Sequence, residues 1–96
     1  MRPGEALADV YLTNQAKKFL KNMQKSDYEP VLFALELMRQ VPVPFREYDI
    51  KKVSGFENTY RIRVGRFRMI YELEPREQVI VVLKIDRKKD STYKRL

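Results

Sequence analysis

Four arginines fall within the stretch YRIRVGRFRMIY, residues 60 to 71, among alternating apolar residues and around a single glycine. If Gly65 and Arg66 form a two-residue type II′ turn, Val64 pairs with Phe67, and stepping outward Arg63 stands opposite Arg68, Ile62 opposite Met69, Arg61 opposite Ile70 and Tyr60 opposite Tyr71. Strand side chains alternate between faces, so Arg61, Arg63, Arg68 and Ile70 share one face. Tyr60, Ile62, Val64, Phe67, Met69 and Tyr71 share the other. Like charges directly opposed across a ladder are destabilising, with cross-strand pairs worth about 0.2–1 kcal/mol. The spacing therefore predicts an anion between Arg63 and Arg68. Glu72, diagonal to Arg61 on the same face, offers an ordinary surface ion pair; a phosphodiester matches the guanidinium fork better than one carboxylate shared by three arginines. Arg66 sits in the turn and is expected to be solvated.

The charge of the whole chain points the same way. Its formal net charge is +7, and residues 49 to 96 carry 13 Lys and Arg against 7 Asp and Glu, whereas residues 1 to 48 carry 7 against 6. A basic half of this kind suits a polyanion, nucleic acid first and an acidic protein second, against the plainer reading of a solvated basic surface. Lys51 and Lys52 before the hairpin, Lys84 in the last strand, and Lys88 and Lys89 after it extend the candidate RNA-binding surface. Tyr93 lies close behind, and an aromatic beside a basic patch can stack on an unpaired base. With no cysteine and no histidine, the chain has no thiol nucleophile, no imidazole base and no thiolate or imidazole metal ligand. No metal site or cofactor is expected. No apolar run approaches the roughly 20 residues of a membrane span, and a cytoplasmic protein is the expectation.

The elements that must position these groups follow from periodicity. At 96 residues the chain is one domain, residues 1–96, with 1–5 a loose start. ADVYLT reads as a short strand. Ala16, Phe19, Leu20 and Met23 then recur at helical spacing behind Thr13 or Asn14 as N-cap, with Lys17, Lys18, Lys21 and Lys25 as a solvated surface. A second helix begins near Asp27 with Pro30 in its first turn and is apolar nearly all round through VLFALELM, so either the domain or another chain must cover it. VPVPF ends the helical region. After a connection with room for a short strand around Ile50 to Val53, TYRIRV, FRMIYEL and QVIVVLKI follow as strands joined by GR and EPRE. The fold class is α+β, in the order β-α-α-β-β-β, with two N-terminal helices packed on one face of an antiparallel sheet.

This order, the run NTYRIRVGRFRMIYELEPREQVIVVLKIDRK and the terminal tyrosine closely resemble the RelE toxins of the RelE/ParE superfamily, whose fold is microbial-RNase-like. VPVPFREYDIKKVSGFENTYR is similar to the archaeal members. The resemblance implies the toxin of a type II toxin–antitoxin system: a metal-independent, ribosome-dependent endoribonuclease that cuts mRNA in the ribosomal A site and halts translation. It implies catalytic roles for Arg61 and Arg63, which stand at the family's first two basic positions, for the phosphate-binding Arg68, and for Arg87, or Lys88 if the strand end shifts by one. Tyr93 matches the family's C-terminal tyrosine, although KKDST departs from the usual spacer. Its implied partners are the ribosome with its mRNA and a cognate RelB-like antitoxin, acidic and partly disordered, in a heterodimer or heterotetramer. The second helix and Ile70 are the expected antitoxin contacts.

The residues accord with only part of that chemistry. Cleavage through the neighbouring 2′-hydroxyl needs a base, charge stabilisation on the phosphorane-like transition state and protonation of the leaving 5′-oxygen. Arginines serve the second task and cannot serve the first, because they stay protonated. Tyr93, Lys84, Lys88 and a group or geometry supplied by the ribosome all stand open as the base. The alternatives are a ParE-like DNA gyrase inhibitor without nuclease activity and a non-catalytic RNA-binding module.

Overall fold

The computed structural model describes residues 7–87, and Lys88, Lys89 and Tyr93 lie outside that span. The elements are β1 (Asp9–Leu12), α1 (Asn14–Lys21), α2 (Lys25–Gln40), β2 (Asp49–Lys52), β3 (Thr59–Val64), β4 (Phe67–Glu74) and β5 (Val79–Arg87). They form a five-stranded sheet in the order β1-β5-β4-β3-β2. From β2 to β5 every pairing is antiparallel, as short connections require. β1 runs parallel to β5, with Asp9 opposite Val79 and Leu12 opposite Val82, so the sheet is mixed rather than wholly antiparallel. The chain leaves β1 through two helices before it re-enters the sheet at the far edge, and a connection that long does not fix strand direction as a hairpin does.

Helix α1 is capped by Thr13, whose hydroxyl accepts from the Ala16 N–H at 3.3 Å. Its Ala16 and Leu20 are buried, with Phe19 and Met23 packed at the margin. Helix α2 starts two residues before the position expected from the sequence, because the Gln24 carbonyl accepts from the N–H groups of Asp27 and Tyr28 at 3.0 and 2.9 Å. Pro30 consequently stands in the second turn, where it cannot serve the carbonyl of Ser26, itself an exposed residue. Val31, Ala34, Leu35 and Met38 of α2 meet Ile62, Val64, Met69, Tyr71, Ile80, Val82 and Ile85 of the sheet in one core. Leu32 and Phe33 on the other side of α2 remain exposed, Phe33 by 66%. Among the described residues no helix is long and apolar enough to cross a membrane.

The β3–β4 hairpin has the register that its turn predicts, from Val64 opposite Phe67 to Tyr60 opposite Tyr71. Gly65 adopts φ +59° while Arg66 stays at negative φ, the pattern of a type II′ turn. β5 breaks its own alternation. Ile70 pairs with Lys84 and Tyr71 with Val82, leaving Leu83 as an extra, bulged residue. Where β1 ends, α1 takes over the edge of β5 with side chains: Thr13 donates its hydroxyl to the Leu83 carbonyl at 2.8 Å, and the Gln15 amide donates to the Ile85 carbonyl at 2.9 Å while accepting from the Ile85 N–H at 3.0 Å. The chain beyond the bulge is thereby held flat against β4.

Two outcomes follow. Gln15→Ala strips both partners from the buried Ile85 backbone and is expected to destabilise the protein by about 1–3 kcal/mol, roughly 4–8 °C of melting temperature per kcal/mol for a domain of this size; Gln15→Glu, which still accepts from the N–H, should fall between the two in a thermal melt. Tyr71 donates its hydroxyl to the Pro42 carbonyl at 2.7 Å, and burial, with the neighbouring Tyr60 second, pushes its phenol well above the ordinary tyrosine range, so it remains a donor at any working pH. Tyr71→Phe keeps the core volume and leaves that carbonyl unpaired, again for about 1–3 kcal/mol by denaturant titration.

Candidate functional site

The face of the sheet turned away from the helices carries one row of charge across four strands. Asp86 on β5 stands opposite Arg68 on β4, Arg68 opposite Arg63 on β3, and Arg63 opposite Asp49 on β2. The two guanidiniums expected to oppose each other do so, and the charge between them is offset by carboxylates one strand further out on each side. Glu72, which the sequence offered as the plainer surface ion pair, takes no part: the described ion pairs of the arginine face run to Asp49 and Asp86. β4 carries Glu72 four residues beyond Arg68, roughly 13 Å along the strand at ~3.3 Å per residue.

The two aspartates are held differently. Asp86 is 28% exposed and takes a two-pronged grip from Arg68, Nε to Oδ1 at 3.0 Å and Nη2 to Oδ2 at 3.3 Å. That hydrogen bonding, and then the charge of Asp86, pushes the Arg68 pKa further up against the opposing effect of burial. Arg68 is a permanent, fixed cation and not a proton carrier. Asp49 is 50% exposed and places Oδ2 at 3.4 Å from Arg61 Nη1 and 3.3 Å from Arg63 Nη1. Arg61 is only 13% exposed, and its buried Nη1 has no hydrogen-bond acceptor among the described residues. Three guanidiniums thus share two carboxylates, and one buried donor has charge nearby without a hydrogen bond.

The other expected site residues divide between the faces. Lys51, opposite Arg61, and Lys84, opposite Ile70, lie on the arginine face, with Lys84 Nζ at 3.7 Å from Asp86 Oδ2. Lys52 stands opposite Tyr60, on the helix side of the edge strand. Arg87 pairs with Phe67 and likewise lies on the helix side, so the structure does not bring it to Arg61, Arg63 and Arg68. Its guanidinium lies 5.6 Å from the centre of the Phe67 ring, which Arg66 approaches at 5.9 Å. Arg66 is not simply solvated: Nη2 reaches both carboxylate oxygens of Asp27 in the first turn of α2, at 3.1 and 3.4 Å, tying the hairpin turn to the helix layer.

Asp49 and Asp86 are the site residues that sequence reading missed. Asp49 lies one residue before the strand expected from Ile50, and the β2–β3 register that sets it opposite Arg63 is fixed by the connection between them, which the hairpin turn does not specify. For Asp86 there was no signal, because strict alternation from Val82 puts residue 86 on the helix side and residue 87 on the arginine side. The bulge at Leu83 exchanges them. Among the described residues no three carboxylates converge as a metal site.

The family model described as ParE toxin of type II toxin-antitoxin system, parDE, matches residues 10–91. A curated Methanocaldococcus jannaschii protein, named as a candidate toxin RelE1, is 29% identical over 86 residues, covering 90% of this chain and 94% of the relative. The archaeal RelE–RelB complex from Pyrococcus horikoshii OT3 contains a chain that superposes with a TM-score of 0.79 at 28% identity, over 88% of this chain and 98% of that one. The isolated E. coli RelE toxin superposes with a TM-score of 0.74 at 16% identity, over 88% of this chain and 87% of that one, a likeness of fold alone. By the family model that spans most of its length, the chain belongs to the ParE toxin family of type II toxin–antitoxin systems, and the relatives it aligns with make it a RelE-type toxin within that family.

Proposed function

We propose that this toxin is a ribosome-dependent, metal-independent endoribonuclease that cuts mRNA in the ribosomal A site, using the arginine row to hold the scissile phosphodiester. The observation that carries the reading is Arg61 Nη1, a buried cationic donor with no acceptor among the described residues, beside two guanidiniums opposed across one ladder. The non-bridging oxygens of a phosphodiester supply that acceptor and suit the Arg63 guanidinium and the Arg68 Nη1, which makes no bond to Asp86. As charge grows on the phosphorane-like transition state, Arg68, already fixed by Asp86, stabilises it without reorganising. The ribosome contributes by aligning the 2′-hydroxyl with the phosphorus, an effect of orientation that the toxin need not supply itself. Arg87, on the helix side, serves this reading as part of the basic margin around Phe67. A RelB-like antitoxin, the partner named in the complexes of the structural relatives, is proposed to cover the arginine face with acidic side chains and the exposed Leu32 and Phe33 of α2 with apolar ones.

The family model that matches is that of ParE toxins, which keeps a gyrase-directed reading as the rival. The two part on their products. Mapping mRNA 5′ ends in translating cells should give cuts confined to ribosome-occupied codons, and purified toxin should cut free RNA weakly or not at all. Arg68→Ala should lower cleavage on programmed ribosomes by about 10²–10³-fold with antitoxin binding retained. Altered supercoiling without mRNA cuts would replace the proposal with the gyrase reading, and efficient cutting of naked RNA would remove ribosome dependence.

A further inference from the structure

Permanent cations hold a phosphate and leave the 2′-hydroxyl without a base. On the arginine face the groups able to accept a proton in their ordinary charge state are carboxylates, and the row contains two. Asp86 has both oxygens engaged by the Arg68 fork. Asp49 is half exposed, directs one oxygen toward Arg61 and Arg63, and makes no side-chain hydrogen bond among the described residues. It stands directly opposite Arg63 on β2, one strand spacing, ~4.8 Å, outside the Arg63–Arg68 pair. Asp86 stands at the other end of the same row, with Lys84 beside it from the neighbouring one.

Resting on the nuclease reading above, we propose that Asp49 is the general base of the cleavage. When a phosphodiester engages Arg63 and Arg68, Arg61 and Arg63 turn from Asp49 to the phosphate oxygens, and the carboxylate faces the 2′-hydroxyl from the β2 side. Asp49 takes the 2′-hydroxyl proton as the 2′-oxygen bonds to phosphorus. The P–O5′ bond breaks, its electron pair leaves with the 5′-oxygen, and that oxygen takes a proton from water. The products are a 2′,3′-cyclic phosphate and a 5′-hydroxyl, and Asp49 returns its proton to solvent. The linear order of the row matches the reaction, with the base at one end, the cations in the middle and the leaving group directed toward β5.

The test is single-turnover cleavage on ribosomes programmed with mRNA, beside binding of the same complex carrying one 2′-O-methyl nucleotide at the scissile position. Asp49→Asn should slow cleavage by about 10²–10⁴-fold, with binding of the methylated complex unchanged within about threefold. Asp49→Glu should cleave at least about tenfold faster than Asp49→Asn, and both variants should melt near wild type because the position is half exposed. Asp49→Asn cleaving as fast as wild type, or faster, overturns the assignment and makes the carboxylate a place-holder for the phosphate. Loss of rate and binding together, with Asp49→Glu no better than Asp49→Asn, also overturns it and leaves Asp49 a clamp on the arginines. Wild type that binds the programmed ribosome and leaves its mRNA whole overturns the nuclease reading itself, an outcome visible before any variant is compared.

Discussion

The outer face of this sheet depends on one extra residue. Leu83 bulges from β5, and every side chain beyond it changes face. Without the bulge, Lys84 and Asp86 would point into the helix layer and Arg87 would point out; with it, Ile85 fills the core beside Met69 and Asp86 reaches Arg68. A bulge weakens a ladder locally, and here the weakness is repaired from outside the sheet. Thr13 and Gln15 at the start of α1 bond the backbone of Leu83 and Ile85 where β1 is too short to do so. The same threonine caps the helix, so helix start, strand bulge and the placing of Asp86 form one arrangement.

What that arrangement makes possible is a concentration of like charge that a simple hairpin would resist. Arg63 directly opposite Arg68 is unfavourable, by an amount on the order of 0.2–1 kcal/mol for a cross-strand pair. The flanking aspartates extend the row so that each arginine has a carboxylate on its far side. This offsets the repulsion without dispersing the positive charge, because the anions lie outside the pair. The balance is incomplete at Arg61, which is largely buried with a donor unmatched among the described residues. A buried unpaired donor costs about 1–3 kcal/mol, a cost consistent with a group arranged for an acceptor that arrives from outside the chain.

How legible this was in the sequence can be followed residue by residue. The hairpin register was legible because Gly65 fixes the turn and the turn fixes every pair after it. Helix α1 was legible because its cap and its apolar spacing agree. The direction of β1 was not, since parallel and antiparallel edges present the same side-chain alternation. The start of α2 was displaced because Pro30 is tolerated one turn deeper on an exposed stretch of the helix. The role of Arg66 was hidden because its partner, Asp27, lies 39 positions away. At the site, the arginines were visible as a pattern and their carboxylates were not: Asp49 required knowing that β2 extends to it, and Asp86 required a bulge that leaves no mark on composition.

The division of the sheet into two faces bears on the chemistry as well as on stability. The helix side holds the apolar core and closes at one end with Arg66 and Arg87 set about the Phe67 ring. Substitutions on the arginine side can therefore alter charge without emptying the core, while the positions of those charges are still set by core residues one step along the same strands. Ile62 fixes Arg61 and Arg63, and Met69 fixes Arg68, because neighbours on a strand are locked to opposite faces. An arginine row built this way is rigid at its roots and solvated at its tips. Such a row holds Arg68 firmly through the less exposed Asp86 and leaves Asp49, at its looser edge, the freedom that the proposed exchange of partners requires.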